Sequence, residues 1–458
     1  MKFTNGFWLV RDEFQADYVR DIYEVEEREN ELLAFAPYKQ IQGRGDTLNI
    51  GMMTYTFTAP AKDILGIHMV NHAGNYVKSP SFELYGDLDK SPERKCEKAS
   101  GKEKWTLKSG KLSLEFETGS PEMKFYGDGR ELTCIKSKTT GMMHHKQGMN
   151  YLVSGLNLGV GELVYGLGER FTPMVKNGQT VDIWNEDGGT ASEISYKNIP
   201  FYYTTKGYGV FVNHPGRVSF EVGSEKVETV QFSVEDEKLE YFVIYGPTPL
   251  EIIEKYTALT GRPALPPKWS FGLWLTTSFT TNYDEATVNS FIDGFEQRHI
   301  PLSVFHFDCF WMKGFEWCNF TWDKDMFPDP AGMLERFHKR GLKICVWINP
   351  YIAQKSPLFG EAMEKGYLLM KDNGRVWQWD MWQAGMGLVD FTNPDACSWY
   401  QSKLKALLDV GVDCFKTDFG ERVPTNVKWF DGSDPEKMHN YYTYLYNQCV
   451  FELLKKEK

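Results

Sequence analysis

The hexapeptide Arg262-Pro263-Ala264-Leu265-Pro266-Pro267 divides the chain into two stretches of different rhythm. Its three prolines remove backbone donors that a helix or a sheet interior needs, so neither element runs across this point. Ahead of it the hydrophobic period is two. Trp105-Thr106-Leu107 and the alternating Lys111-Leu112-Ser113-Leu114-Glu115-Phe116-Glu117 flank a Ser109-Gly110 turn. Val218-Ser219-Phe220-Glu221-Val222 and Val230-Gln231-Phe232-Ser233-Val234 repeat the pattern around Gly223-Ser224. This alternation predicts antiparallel sheets with one solvated face, most simply a β-sandwich over residues 1–247. Residues 248–267 form a helix and the proline-rich linker. A capping box at Thr248-Pro249-Leu250-Glu251 opens the helix and Gly261 stops it.

Residues 268–458 alternate between strand and helix. Strands are expected at Phe271–Leu275, Val304–Phe307, Ile344–Ile348 and from Val412. Helices are expected after Asn282–Glu285, with Val288, Phe291, Ile292 and Phe295 on one face, and after Asp329-Pro330, with Met333, Leu334 and Phe337. One more is opened by Ser356-Pro357 and stopped at Gly366, and a later one carries Trp399, Tyr400, Leu404, Leu407 and Leu408, with an Asp372-Asn373-Gly374 turn between them. Strands separated by helices imply a parallel sheet, and repeated units without a glycine-rich nucleotide loop favour a barrel. Gly166-Leu167-Gly168 is no such loop, because it lacks the third glycine and sits among β residues. The fold class expected is therefore multidomain: an N-terminal antiparallel β-sandwich followed by the first half of a (β/α)8 TIM barrel. Four strands leave an open edge, which fits either an open sheet or a fragment of a barrel; a fragment is the expectation.

The chemistry concentrates where the fourth predicted strand ends, in Cys414-Phe415-Lys416-Thr417-Asp418-Phe419-Gly420-Glu421-Arg422. Lys416 and Asp418 share one face of a strand, and the ammonium favours the ionised acid. An ionised carboxylate at a barrel rim is a candidate nucleophile; an equally simple reading makes Asp418 a structural partner of Lys416. The net charge of -11 argues against a nucleic-acid partner. No stretch reaches the roughly 20 apolar residues of a membrane span, so no membrane partner is expected. Eight cysteines without a C-x-x-C pair suit a reduced, cytoplasmic thiol set better than disulfides or zinc. His306, two residues before Asp308, has no His-x-His companion, so no metal is expected.

Four ordered motifs at the strand ends carry a resemblance. Trp274-Leu275-Thr276-Thr277-Ser278-Phe279, His306-Phe307-Asp308-Cys309-Phe310-Trp311, Trp347-Ile348-Asn349-Pro350 and Lys416-Thr417-Asp418-Phe419-Gly420-Glu421 resemble glycoside hydrolase family 31, in particular its bacterial α-xylosidases. Tyr165-Gly166-Leu167-Gly168-Glu169-Arg170-Phe171 resembles that family's sandwich domain. The resemblance implies a retaining α-glycosidase acting on an oligosaccharide with terminal α-xylose and needing no cofactor. Asp418 would be its nucleophile and Glu421 an acidic residue supporting the site. Asp308 and Lys416 would hold sugar hydroxyls, and Trp347 and Phe279 would wall the pocket. Cys309 and Phe310 would fill the space of a glucose hydroxymethyl. Asp187, in Trp184-Asn185-Glu186-Asp187-Gly188-Gly189, would reach toward the leaving group. The family's acid/base aspartate, a substrate arginine and a histidine lie on later strands than these. The expectation is thus a segment with one half of a carboxyl pair, inactive and poorly folded alone. An α-glucosidase, an α-transglycosylase, a non-catalytic carbohydrate binder and a metal-dependent barrel hydrolase are the alternatives. The oligomeric state stays open, a homo-oligomer included.

Overall fold

Among the described residues the period-two stretches build three antiparallel sheets of five or more strands, and the strand–helix stretch builds one parallel sheet of four. The computed structural model describes residues 1–457 apart from 7, 75–76, 86–91, 100 and 189–191. The chain divides into two units, residues 1–76 with 80–262 and residues 77–79 with 263–458.

In the first unit an eight-stranded sheet runs from Val164–Gly166 at one edge to Glu24–Glu27 at the other. A six-stranded sheet runs from Gln179–Ile183 to Phe14–Tyr18, and a five-stranded sheet from Arg130–Ile135 to Glu93–Ala99. One apolar core draws Phe57, Leu114, Phe220 and Tyr241 from all three. The expected pairing of Val218–Val222 with the strand at Val230 is present, Val218 opposite Val234. The expected solvated face is not: both strands are buried along their whole length. Their polar positions are satisfied inside instead. Ser219 donates to Asp182 at 2.6 Å, and Glu221 accepts from Thr180 and Ser224. The N-terminus covers part of that face, where Glu225 accepts from the amides of Phe3 and Thr4 and from the side chain of Gln231. Buried polar groups with partners cost little, so alternation here marks two faces rather than inside and outside. The helix Pro249–Thr260 forms behind the expected capping box and seats Ile252 and Leu259 against Phe201, Phe211 and Phe242.

In the second unit four strands, Trp274–Thr276, Val304–Phe307, Lys343–Ile348 and Cys414–Thr417, pair in parallel and in chain order. The first strand starts later than its apolar run, because Lys268–Phe271 winds into a 3-10 turn straight after the prolines. The helix Glu285–Gln297 is capped by Asp284, whose carboxylate accepts the Thr287 amide at 2.8 Å, and not by Asn282. Between the third strand and the helix Pro394–Asp409 lies an antiparallel sheet of Tyr351–Ile352, Met386–Leu388 and Gln378–Trp379, three strands too short to leave a periodic signal. No helix among the described residues is long and apolar enough to cross a membrane.

The two faces of the parallel sheet divide the work. Phe305, Phe307, Ile344 and Val346 are fully buried in a cluster with Val288, Ile292, Leu334 and Phe337 of the helices. The opposite parity places Thr276, His306, Cys345 and Cys414 side by side, with Trp347 beside Lys416 one row further. The register of the fourth strand is fastened by Asp413, just ahead of it. Its carboxylate takes the Ile344 amide at 2.9 Å, Lys343 at 2.9 Å and His338 at 2.8 Å. Burial alone would raise its pKa, but these three donors together hold it below the ordinary carboxylate range. Asp413→Asn is expected to destabilise the protein by about 1–3 kcal/mol in chemical denaturation at neutral pH. Because the folded-state pKa is the lower one, that difference is present above the unfolded value of about 4 and vanishes as pH falls through the folded value. An unchanged midpoint at pH 7 would contradict this role.

Candidate active site

The end of the third strand is held from several directions. Trp311 donates its indole N–H to the Trp347 carbonyl at 2.8 Å, and the Tyr400 hydroxyl donates to the Asn349 carbonyl at 2.8 Å. The ring of Trp317 meets that of Trp347 edge-on at 5.0 Å. The fourth strand pairs with this fixed segment, and the amide of Asp418 donates to the Ile348 carbonyl at 2.9 Å. Asp418 therefore emerges beside Trp347. The Trp347 Nε1–H donates to Asp418 Oδ2 at 2.5 Å, and Lys416 Nζ lies 3.6 Å from the same oxygen. The Asp418 side chain is about one-third exposed, enough for a ligand to reach it. The chain turns away at once through Phe419 at φ 57° and Gly420 at φ 94°. Residues other than glycine seldom occupy this left-handed region, and such conformations gather at sites that aim side chains. Phe419 is held there by stacking on Trp382 at 3.9 Å.

The second strand ends in Asp308, which caps a 3-10 turn over Cys309–Trp311. Its Oδ1 accepts the Cys309 amide at 2.8 Å, its own amide donates to Thr277 at 3.0 Å, and its carbonyl takes the Tyr283 hydroxyl at 2.7 Å. Cys309 is buried, and burial, with the charges of Asp308 and Asp418, pushes its thiol up and away from a reactive thiolate. Phe310 stands exposed at the rim and shares with Phe279, Met312 and Asp323 the lining of a hollow of about 320 Å³.

The sequence-predicted residues of this unit thus form three groups. Trp347 and Lys416 meet Asp418 through a hydrogen bond and an ion pair, Phe279 and Phe310 border the hollow, and Cys309 stands within electrostatic reach of both Asp308 and Asp418. Glu421 is buried, and its charge acts on the buried phenol of Tyr351, whose pKa is raised far above its usual value mainly by burial. Asp187 belongs to the first unit, just beyond the strand Gln179–Ile183; Gly189 of the same motif lies outside the described residues.

Trp311, Trp317 and Trp322 are buried and pack the unit instead of offering a sugar a free face. Asp390 is structural: it takes the Thr392 amide, the Thr392 hydroxyl and the Phe430 amide. His144 lies on a strand, bonded to Asn150 and Asp17. A second hollow of about 500 Å³ in the first unit, bordered by Tyr165, Phe171 and Tyr196, holds none of the candidate residues. Among the described residues no group of three His, Cys, Asp or Glu side chains could hold a metal ion. His306, which the sequence offers only as an unsupported metal ligand, is a buried neighbour of these residues. It sits at the centre of the row below Asp308 and Trp347, and its signal was a lone polar residue inside an apolar strand. Its Nδ1 lies 2.5 Å from the Thr276 hydroxyl, and burial pushes its pKa down from 6.5 to about 4.

Comparison with known proteins places these features in a family. The Glycosyl hydrolases family 31 TIM-barrel domain matches residues 263–458, and the Glycosyl hydrolase 31 N-terminal galactose mutarotase-like domain matches residues 54–221. The alpha-xylosidase XylQ of Lactiplantibacillus pentosus is 55% identical over the whole chain, and an alpha-xylosidase of Emericella nidulans is 49% identical over 99% of it. The chain spans 60% of the length of each. A family 31 dextranase of Flavobacterium johnsoniae, solved with glucose, superposes with a TM-score of 0.84 at 23% identity, covering 96% of this chain and 53% of the dextranase.

The buried histidine makes a prediction about acid. Between pH 6.5 and about 4 the unfolded chain binds a proton at His306 that the folded chain refuses. Stability is therefore expected to fall as pH drops through this window, by up to about 3 kcal/mol from this residue. In His306→Gln the same pH series should lose that slope; an unaltered slope would show that the histidine titrates normally in the fold.

Proposed function

Because the chain belongs to glycosyl hydrolase family 31, we propose that it carries the nucleophile of a retaining α-glycosidase acting on terminal α-xylosides, of the xyloglucan-oligosaccharide or isoprimeverose type. The observation that carries this reading is the aimed carboxylate at the end of the fourth parallel strand. Trp347 and Lys416 both engage Asp418 Oδ2, which leaves Oδ1 as the attacking atom. An indole donor and an ammonium favour the ionised carboxylate that a nucleophile requires. In this reading Oδ1 bonds the anomeric carbon as the bond to the leaving oxygen breaks, a carboxylic acid protonates that oxygen, and water later opens the glycosyl ester. Glu421, buried behind the rim, supports the site. Asp308 and Lys416 hold sugar hydroxyls, and Trp347 and Phe279 wall the sugar.

Preference for xylose is assigned to Cys309 and Phe310, whose bulk occupies the position of a hydroxymethyl group. The identity of 55% and 49% to two alpha-xylosidases supports this substrate class. A pocket that rejects one small group discriminates by about 1–3 kcal/mol, so a slower α-glucosidase activity accompanies the main one. A cytoplasmic setting is supported by eight cysteines that all remain thiols.

In the protein that carries this sequence, an aryl α-xyloside should be cleaved about 10–200-fold more efficiently than the matching α-glucoside. Equal efficiencies would overturn the substrate assignment. Asp418→Ala should lower kcat/KM for the xyloside by about 10⁴-fold or more, with azide restoring part of the turnover by taking the place of the carboxylate. Near-normal rates in this variant would overturn the nucleophile.

A further inference from the structure

Two cysteines meet where the helix Pro394–Asp409 packs on the helix Pro435–Glu457, and neither has a part in the steps above. The Gln401 side chain donates to the Cys449 carbonyl at 2.8 Å. One turn earlier on the same helix, the Cys397 carbonyl oxygen lies 3.7 Å from Cys449 Sγ. The two thiols share a hydrogen bond, with Cys449 as donor. Cys397 is half-buried and Cys449 is buried.

Their surroundings give the two sulfurs different chemistry. Cys397 sits in the first turn of its helix, its amide donating to the Asn393 carbonyl at 3.1 Å. The partial positive charge at a helix N-terminus favours a thiolate there. As a thiol, Cys397 donates to the Phe391 carbonyl at 3.3 Å. The hydrogen bond from Cys449 holds Cys397 below the ordinary thiol range, although burial and the charge of Asp390 oppose it. The same bond, together with burial, pushes Cys449 up. An accessible sulfur that ionises readily thus stands against a shielded one that keeps its proton. Attacking and resolving thiols divide their work in this way.

We propose that Cys397 is a modification site for low-molecular-weight disulfides of the glutathione type, and that Cys449 resolves the adduct into an intramolecular disulfide that lowers activity. Cys397 gives its proton to solvent, and its thiolate attacks one sulfur of the small disulfide. That S–S bond breaks; one small thiol leaves with a proton, and the other half stays on Cys397. Cys449 then loses its proton, attacks Cys397 Sγ and expels the second small thiol. Two protein thiols are oxidised by two electrons in all, and one small disulfide is reduced to two thiols.

The effect on activity follows from what each cysteine's helix holds. One turn after Cys397, Tyr400 donates to the Asn349 carbonyl at 2.8 Å. One turn before Cys449, Tyr446 donates to the Ile348 carbonyl at 3.3 Å, and that carbonyl also takes the Asp418 amide. A disulfide draws its sulfurs to about 2 Å, closer than any non-bonded contact. Closing it moves the two helices against each other and displaces both tyrosine hydroxyls from the strand end that aims Asp418. This loss of activity rests on the reading of Asp418 as nucleophile; formation of the disulfide does not.

The test equilibrates the wild-type protein in glutathione buffers of increasing oxidised fraction, quenches with an alkylating reagent and maps the peptides without reduction. The Cys397–Cys449 peptide is expected to appear ahead of any other linked pair. Hydrolysis of an aryl α-xyloside should fall about fivefold or more over the same titration and return with dithiothreitol. Cys449→Ser should stop at a glutathione adduct on Cys397, and Cys397→Ala should form neither product and hold its activity throughout. Free thiols at both positions after other cysteines have oxidised would overturn the proposal. So would closure of Cys345 with Cys414, which face each other on neighbouring strands, in place of this pair. A linked wild-type protein of undiminished activity would overturn it as well. A reduced wild type that cleaves no α-xyloside would overturn the functional reading; the linked peptide would then still support the thiol pair, and its absence would overturn that too.

Discussion

The hydrogen bond from the Trp347 indole to Asp418 exists because the third and fourth strands run parallel in one register. That register puts Trp347 opposite Lys416, and the two-residue repeat of a strand then brings Asp418 out on the same face. A slip of one residue would turn Lys416 and Asp418 toward the helices and send Phe415 to the open face, burying two charges without partners. The cost of that alternative is large, so the register and the candidate site specify each other. Asp413 secures the same register from the other end of the strand, by binding the amide that begins the third.

Around this pair the fold is arranged in layers. The apolar parity of the strands packs on the helices, where Phe305, Phe307, Ile344 and Val346 have no contact with solvent. The end of the third strand is anchored by Trp311, Tyr400 and Tyr446, side chains from three different segments. Only beyond these anchors does the chain enter the strained turn at Phe419 and Gly420. A site mounted on strand ends and braced by large buried side chains holds its geometry more closely than one built on loops alone. The thiol of Cys309 and the imidazole of His306 belong to the same design: burial keeps each neutral beside a cluster of charges.

Much of this was legible in the residues. The strands Val304–Phe307 and Lys343–Ile348 are apolar runs that end in polar residues, and Asp329-Pro330 caps its helix as that pair must. What stayed hidden was set by tertiary context. The six-stranded sheet is covered on both faces, so its alternating strands looked half-solvated and are not. The prolines at 266 and 267 turn the next four residues into a 3-10 turn and delay the first strand, although Phe271 and Leu273 read as strand. Asp284 wins the cap over Asn282 through its bond to the Thr287 amide, a choice that spacing alone leaves open. Trp317 and Trp322 could have lined a sugar subsite on composition; only their burial decides that they are core. His306 carried the least signal of all, because its meaning lies in a Thr276 hydroxyl on another strand.

The proposed chemistry turns on one bond, the ester between a sugar and Asp418. A fluorinated xylosyl fluoride that forms the glycosyl-enzyme quickly and releases it slowly would trap this species, and peptide mapping by mass spectrometry would locate it. The account predicts one added sugar per chain, on the peptide containing Asp418, with fragmentation placing it on that side chain. A label on Glu421, on Asp308 or on any other residue would contradict it, and so would hydrolysis of α-xylosides by a protein that never carries the sugar covalently.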